Sequence, residues 1–147
     1  MRKAGVLLHV SSLPNKYGIG TLGKEAYSFV DFLKESGQTY WQMLPINPTA
    51  YGDSPYQSPS VFAGNPYFIS LEELVKEGLL EKEDLSVLKS NDPRHVDYAS
   101  IFNIKLGLLE KAYANYELVL DEFNLFKEEN KEWLEDYAVF MALKILA

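Results

Sequence analysis

Residues 4–44, AGVLLHVSSLPNKYGIGTLGKEAYSFVDFLKESGQTYWQML, decide the fold class. Ala4 to Val10 is a continuous apolar run bounded by turn residues, the pattern of a strand buried on both faces of a parallel sheet. Ser11 to Gly23 is rich in Ser, Pro and Gly and reads as loop. Lys24 to Ser36 predicts a helix, because Ala26, Phe29, Val30 and Leu33 recur at helical spacing and share one face. Gly37 supplies its stop, since glycine accepts the left-handed conformation without penalty. Thr39 to Leu44 reads as a second strand. The order strand, loop, helix, strand is a βαβ unit, with parallel pairing and a right-handed crossover.

The second strand opens a long loop, and Tyr40 to Pro66 reads YWQMLPINPTAYGDSPYQSPSVFAGNP. Loops at the carboxyl ends of buried strands are where α/β folds carry their sites. Tyr and Trp offer flat apolar faces with one polar tip each. Ser54, Gln57, Ser58 and Asn65 place short hydrogen-bonding groups beside them. A ligand with C–H faces and hydroxyl rims, a sugar, suits this mixture; aromatics plugged into a core are the plainer alternative.

Beyond the loop the texture becomes helical. Ser70-Leu71-Glu72-Glu73 fits a capping box, with Ser70 at the cap and Glu73 reaching back; that helix ends near Gly78. Glu81 to Leu88 reads as a short helix stopped by Asn91-Asp92-Pro93. Asp97 can cap a longer helix with Ile104, Leu108, Ala112 and Tyr116 every fourth residue, widened by Ile101 and Leu109. A short helical piece is expected over Phe123 to Glu129. From about Lys131 a last helix carries Leu134, Tyr137, Ala138, Met141 and Ile145 at helical spacing. Two parallel strands bury too little surface for a finished sheet, and no cap or breaker precedes Ala147. The expectation is therefore the opening segment of something larger.

Composition narrows the function classes. The chain has 147 residues, with 47% hydrophobic and 24% charged side chains, ordinary globular values. Aromatics reach 14%, which argues against disorder. A net charge of −7 without a Lys/Arg stripe argues against nucleic acid as a partner. No cysteine is present, so disulfides and thiolate sites are excluded. The apolar run to Val10 breaks at His9 and is too short for a signal peptide or membrane span. A cytoplasmic protein with no membrane partner is the expectation.

Specific motifs are few. His9 inside the first strand reads as a catalytic acid, as a ligand-facing donor or, more often for such a position, as a core histidine with its ring nitrogens satisfied. Gly18 to Gly23 matches G-x-G-x-x-G as a string, but the preceding loop is too long and proline-broken for a dinucleotide turn. No metal-ligand spacing appears. Glu72, Glu73, Glu81, Glu83 and Asp84 read as solvated helix charges. Only Asp53 lies in the aromatic loop, and glycoside cleavage needs two carboxylates flanking the bond. The residues thus describe half a carbohydrate site, with platforms and hydrogen-bonding groups but no acid and nucleophile.

The strings GVLLHVSSLP, YGIGTLG, YWQMLPINPT, SPYQSPSVFAGNPYFISLEEL and WLEDYAVFMALK are spread along the chain from Gly5 to Lys144. Together, in this order and spacing, they resemble the amino-terminal part of the 4-α-glucanotransferases, the amylomaltase or disproportionating-enzyme group of glycoside hydrolase family 77. The resemblance implies an α/β fold: the start of a (β/α)₈ barrel over residues 1–66, carrying the sugar loop, then a helical insertion over 67–147. It implies transfer of α-1,4-glucan segments between chains through a covalent glycosyl-enzyme intermediate, with no cofactor and no metal. Ser54 and Tyr56 of Ser-Pro-Tyr-Gln would contact sugar, with Tyr56 stacking on a ring. Asp53, Gln57, Ser60 and Asn65 would shape or line the loop. The family's nucleophile, general acid and stabilising carboxylate come from later strands, so no catalytic residue is expected here. Partners would be maltooligosaccharides or other α-1,4-glucans, and the remainder of the barrel. The alternatives are a stand-alone glucan-binding module and a non-functional truncated product.

Overall fold

A computed structural model describes residues 2–88, 92, 94–117 and 120–146. Strand β1 (Gly5–Leu7) pairs in parallel with β2 (Tyr40–Gln42), Val6 opposite Trp41. Between them helix α1 (Lys24–Glu35) makes the crossover, so the βαβ reading holds. Gly37, at φ +71°, donates its N–H to the Lys34 carbonyl and ends the helix as expected. Ala26 and Leu33 of the predicted face are buried and Phe29 is half-buried, but Val30 is exposed.

Both strands are shorter and barer than the sequence predicts. Leu7 is 59% exposed and Tyr40 54%, so neither strand is buried on both faces. Among the described residues the sheet has only these two strands, and α1 covers it where Phe29 meets Trp41 edge-on at 5.0 Å. Val10, the end of the predicted first strand, instead enters a 3₁₀ turn (Val10–Ser12) and is fully buried.

The core lies beside the sheet. Val10, Leu13 and Ile19 of the loop after β1 pack with Phe68, Leu71, Leu80, Leu85, Ile101 and Leu108. Leu71 opens α2 (Leu71–Lys76), capped by Ser70, whose Oγ accepts the Glu73 N–H at 3.4 Å. The reciprocal arm of the expected capping box is not made: the Glu73 carboxylate pairs with Lys76 at 2.7 Å instead. Glu81 to Leu88 contains a 3₁₀ turn (Asp84–Val87) rather than an α-helix. Asp84, expected to be merely solvated, accepts the Glu81 N–H and the Lys111 ammonium at 2.7 Å; the lysine above all holds its carboxyl below the usual range. Of the expected stop, Asn91 and Pro93 lie outside the described residues.

The longer helix is where spacing misleads most. Asp97 caps α3 (Tyr98–Ser100) by accepting the Ser100 N–H at 3.1 Å. The chain then passes through a π turn (Ile101–Lys105) before α4 (Leu106–Asn115). Tyr116 lies past the helix end and is exposed. The wider turn carries Lys105 into the interior, 1% exposed, where its Nζ donates to the Tyr67 carbonyl at 2.5 Å. Burial pushes its ammonium down to about 8, against a smaller opposing pull from Glu72. An unfolded Lys105 keeps its ordinary value near 10.5. Between those two pH values the unfolded chain binds more proton, so stability rises with pH across that window. The full gain is about 3 kcal/mol. Denaturant melts of wild type minus Lys105→Met at pH 7 and pH 9.5 are expected to show this slope; identical slopes would contradict the assignment.

Two further helices, α5 (Leu120–Glu129) and α6 (Leu134–Leu146), complete the described chain. Both fall where the sequence places helices, and none of their described side chains joins the buried core. The Ile145 side chain lies outside what is described. No helix among the described residues is long and apolar enough to cross a membrane.

Candidate functional site

Both strands end toward one cavity of about 190 Å³. The segment after β1 contributes His9, Ser11 and Ser12; the segment after β2 contributes Leu44, Pro45, Thr49, Asp53 and Pro55. Asn65, Tyr67 and Phe68 close it from a 3₁₀ turn (Pro66–Phe68), and Tyr98 from the start of α3. This is the carboxyl side of a parallel pair, where α/β folds carry ligands.

Local backbone chemistry fixes these walls. Asn65 is 7% exposed; its Oδ1 accepts the Tyr67 N–H at 3.0 Å, while its own N–H donates to the Ile46 carbonyl at 2.9 Å. It therefore ties the end of the loop to its beginning. Asp53 sits at φ +54°, a left-handed conformation that Asp tolerates better than most residues. Its N–H donates to the Ala50 carbonyl, and the Ala50 N–H donates to Gln57 at 2.9 Å, closing a small lobe around residues 50–57. Lys105 holds the Tyr67 carbonyl from behind.

The cavity is polar and uneven in charge. Burial, then the Asp53 carboxylate, then Tyr98 push the Tyr67 phenol upward, so it stays a neutral O–H donor. Burial lowers His9 below its ordinary 6.5, which keeps the imidazole neutral at physiological pH. The His9 ring meets Phe68 edge-on at 5.4 Å, and its Nδ1 is buried with no hydrogen-bond partner among the described residues. An unpaired buried polar atom costs free energy. Asp53 is the one carboxylate on the described lining.

The five loop residues singled out from sequence separate into two groups. Asp53 and Asn65 line the cavity together. Ser54, Tyr56 and Gln57 do not. Ser54 Oγ accepts the Tyr56 N–H at 3.4 Å, Gln57 is exposed, and the Tyr56 ring is 72% exposed at the lobe's tip. Ser58 and Ser60 brace the next bend: Ser58 Oγ donates to the Ser60 carbonyl at 2.6 Å, and Ser60 Oγ accepts from Phe62 and Ala63. Sequence reading left His9 undecided and passed over Ser11, Ser12, Thr49, Tyr67 and Tyr98. For Ser11, Ser12 and Thr49, a place in the segments that follow the strands was the available signal; Tyr67 and Tyr98 had none.

Comparison with known proteins covers nearly the whole chain. A family model described as 4-alpha-glucanotransferase matches residues 8–146. A 4-alpha-glucanotransferase of Clostridium butyricum is 54% identical over 139 residues, 93% of this chain and 28% of the relative. The Thermus thermophilus 4-alpha-glucanotransferase is 47% identical over 148 residues, 97% of this chain and 29% of the relative. Among solved structures, an amylomaltase from Streptococcus agalactiae in complex with acarbose superimposes with a TM-score of 0.92 at 45% identity. The match covers 98% of this chain and 30% of that one. The chain thus spans less than a third of the length of these relatives.

Proposed function

The chain belongs to the 4-alpha-glucanotransferase family, and from that premise we propose that its loop lobe and cavity form one wall of a cleft for α-1,4-glucans. The cavity past the carboxyl ends of β1 and β2, with neutral His9, Asp53, Asn65 and the Tyr67 and Tyr98 phenols around it, carries the reading. Such a lining gives and takes hydrogen bonds without carrying cationic charge, which suits a neutral polyol. Tyr56, held out on its lobe, offers a ring face to a sugar. Ser54 and Gln57 beside it supply hydroxyl and amide groups, while Asp53 and Asn65 act from the cavity floor.

In the whole protein the reaction would be transfer of a glucan segment to another chain's 4-hydroxyl, by double displacement with retention. That chemistry needs a nucleophile and a general acid; Asp53, the one carboxylate on the described cavity lining, does not make such a pair alone. Residues 1–66 would then be the first βαβ part of a (β/α)₈ barrel and 67–147 a helical insertion, in a cytoplasmic enzyme.

The test is calorimetric titration of maltotriose into the 147-residue polypeptide, with product analysis of the same mixture. Saturable binding without disproportionation products is expected. Tyr56→Ala should weaken binding by about two- to tenfold, the worth of one ring face. Flat heats, or new glucan lengths made by this polypeptide, would overturn the reading.

A further inference from the structure

Among the described residues, Lys105 is the largest side chain that the fold buries completely. It sits where helical spacing calls for an apolar residue, between Ile101 and Leu108, which are 1% and 8% exposed. Burial lowers its ammonium to about 8, so it is still charged at neutral pH. Among the described residues no carboxylate pairs with it, and Nζ donates to the Tyr67 carbonyl at 2.5 Å. A buried cation with a single neutral partner costs free energy that a methionine in its place would not.

The carbonyl it holds belongs to the cavity wall. Asn65 Oδ1 accepts the Tyr67 N–H at 3.0 Å, and Lys105 takes the Tyr67 C=O, so side chains fix both backbone polar groups of this residue. The next carbonyl, that of Phe68, accepts the Leu22 N–H at 2.9 Å. Tyr67 thus lines the cavity from a backbone with little freedom. Lys105 also belongs to the helical run that opens with Tyr98, the other tyrosine on the described lining. The π turn at Ile101–Lys105 is the irregular link of that run, and such turns concentrate at functional positions. One ammonium therefore ties together two segments 38 residues apart, each carrying a cavity phenol. We propose that Lys105 is a positioning residue for saccharide binding: by gripping the Tyr67 carbonyl it sets the Tyr67 and Tyr98 phenols at the spacing that the ligand's hydroxyls meet. The assignment rests on the glucan reading of the cavity. Lys105 itself, buried behind the wall, touches no sugar.

Lys105→Met keeps an unbranched apolar stem and removes the ammonium. Two readouts on the 147-residue protein separate positioning from support of the core. In the free protein, NMR of isotope-labelled tyrosine rings is expected to show the Tyr67 and Tyr98 signals displaced in Lys105→Met, while Tyr27, exposed on α1, stays in place. In calorimetric titrations with maltotriose, Lys105→Met and Tyr67→Phe are each expected to weaken binding about fivefold, the worth of one hydrogen bond. Combined, they should fall well short of the product, roughly twenty-five-fold, because the lysine acts through Tyr67. A full product, or unchanged affinity in Lys105→Met, would overturn the proposal, and so would tyrosine signals that do not move. A variant that fails to fold, or in which Tyr27 shifts as far as the other two rings, would assign Lys105 to the core as a whole and overturn it too. If the wild type binds no maltotriose, the glucan reading falls and takes the saccharide role of Lys105 with it; maltotriose that binds, with losses that multiply in full, faults Lys105 alone.

Discussion

Gly20→Ala is expected to destabilise the protein strongly. A Cβ at this position would stand 2.0 Å from the Val10 carbonyl oxygen, 2.8 Å from the Leu13 nitrogen and 2.9 Å from Leu13 Cβ. Two of those three atoms are backbone, and the Gly20 N–H donates to the Ser11 carbonyl at 3.1 Å, so neither segment can retreat cheaply. Val10 and Leu13 are 0% and 3% exposed, and moving them opens the core. A loss on the order of 4 kcal/mol follows from overpacking combined with a broken loop contact. In a domain of this size it should lower Tm by roughly 10 °C. Gly107→Ala is the control: nothing lies within 4 Å of its added Cβ, and in α4 alanine is the better helix former, so Tm should rise slightly. Equal melting curves for the two variants would show that the close approach of residues 10–13 to Gly20 is not a constraint.

His9→Phe is expected to cut maltooligosaccharide binding by about tenfold, the loss of one ligand hydrogen bond in a buried setting. Phenylalanine preserves the edge-on contact with Phe68 and the shape of the cavity wall, so the fold should survive. What disappears is the hydrogen-bonding capacity of an imidazole on the cavity lining. Binding should also fall as pH drops toward the lowered value of His9, because the protonated ring loses its acceptor nitrogen. Above the ordinary histidine value, 6.5, affinity should be flat. Unchanged affinity in His9→Phe would remove the imidazole from the site.

The parts of this fold legible in the sequence are those written by periodicity and punctuation. The face of α1 through Ala26 and Leu33, the Gly37 and Gly78 stops, and the Ser70 and Asp97 caps all depend on neighbours within a few residues. The failures lie where distant segments decide. An apolar run such as Ala4 to Val10 says that burial is wanted, not how much cover the fold supplies. The π turn at Ile101–Lys105 adds one residue to a turn, which helical spacing cannot register, and so a lysine on the apolar stripe escaped notice. The glycines at 18–23 match a phosphate-loop string, rightly set aside on loop length, because close backbone approach leaves the same imprint whatever lies on the other side; at Gly20 it is the Val10–Leu13 turn, and at Gly23 the Ser70 side chain. In the site, Asp53 and Asn65 were found because they belong to one loop. His9, Tyr67 and Tyr98 join them only through the fold.

The central claim is that the cavity holding His9 receives sugar hydroxyls. The chain has two histidines: His9 lines the cavity, while His95 is exposed and lines a neighbouring pocket that shares Ser11 and Ser12 with it. Proton–nitrogen NMR of the imidazoles during a maltotriose titration reads both at once. A saturable shift of the His9 ring nitrogens, larger than any shift at His95, is predicted; His9 resonances that stay fixed while maltotriose demonstrably binds would contradict the account.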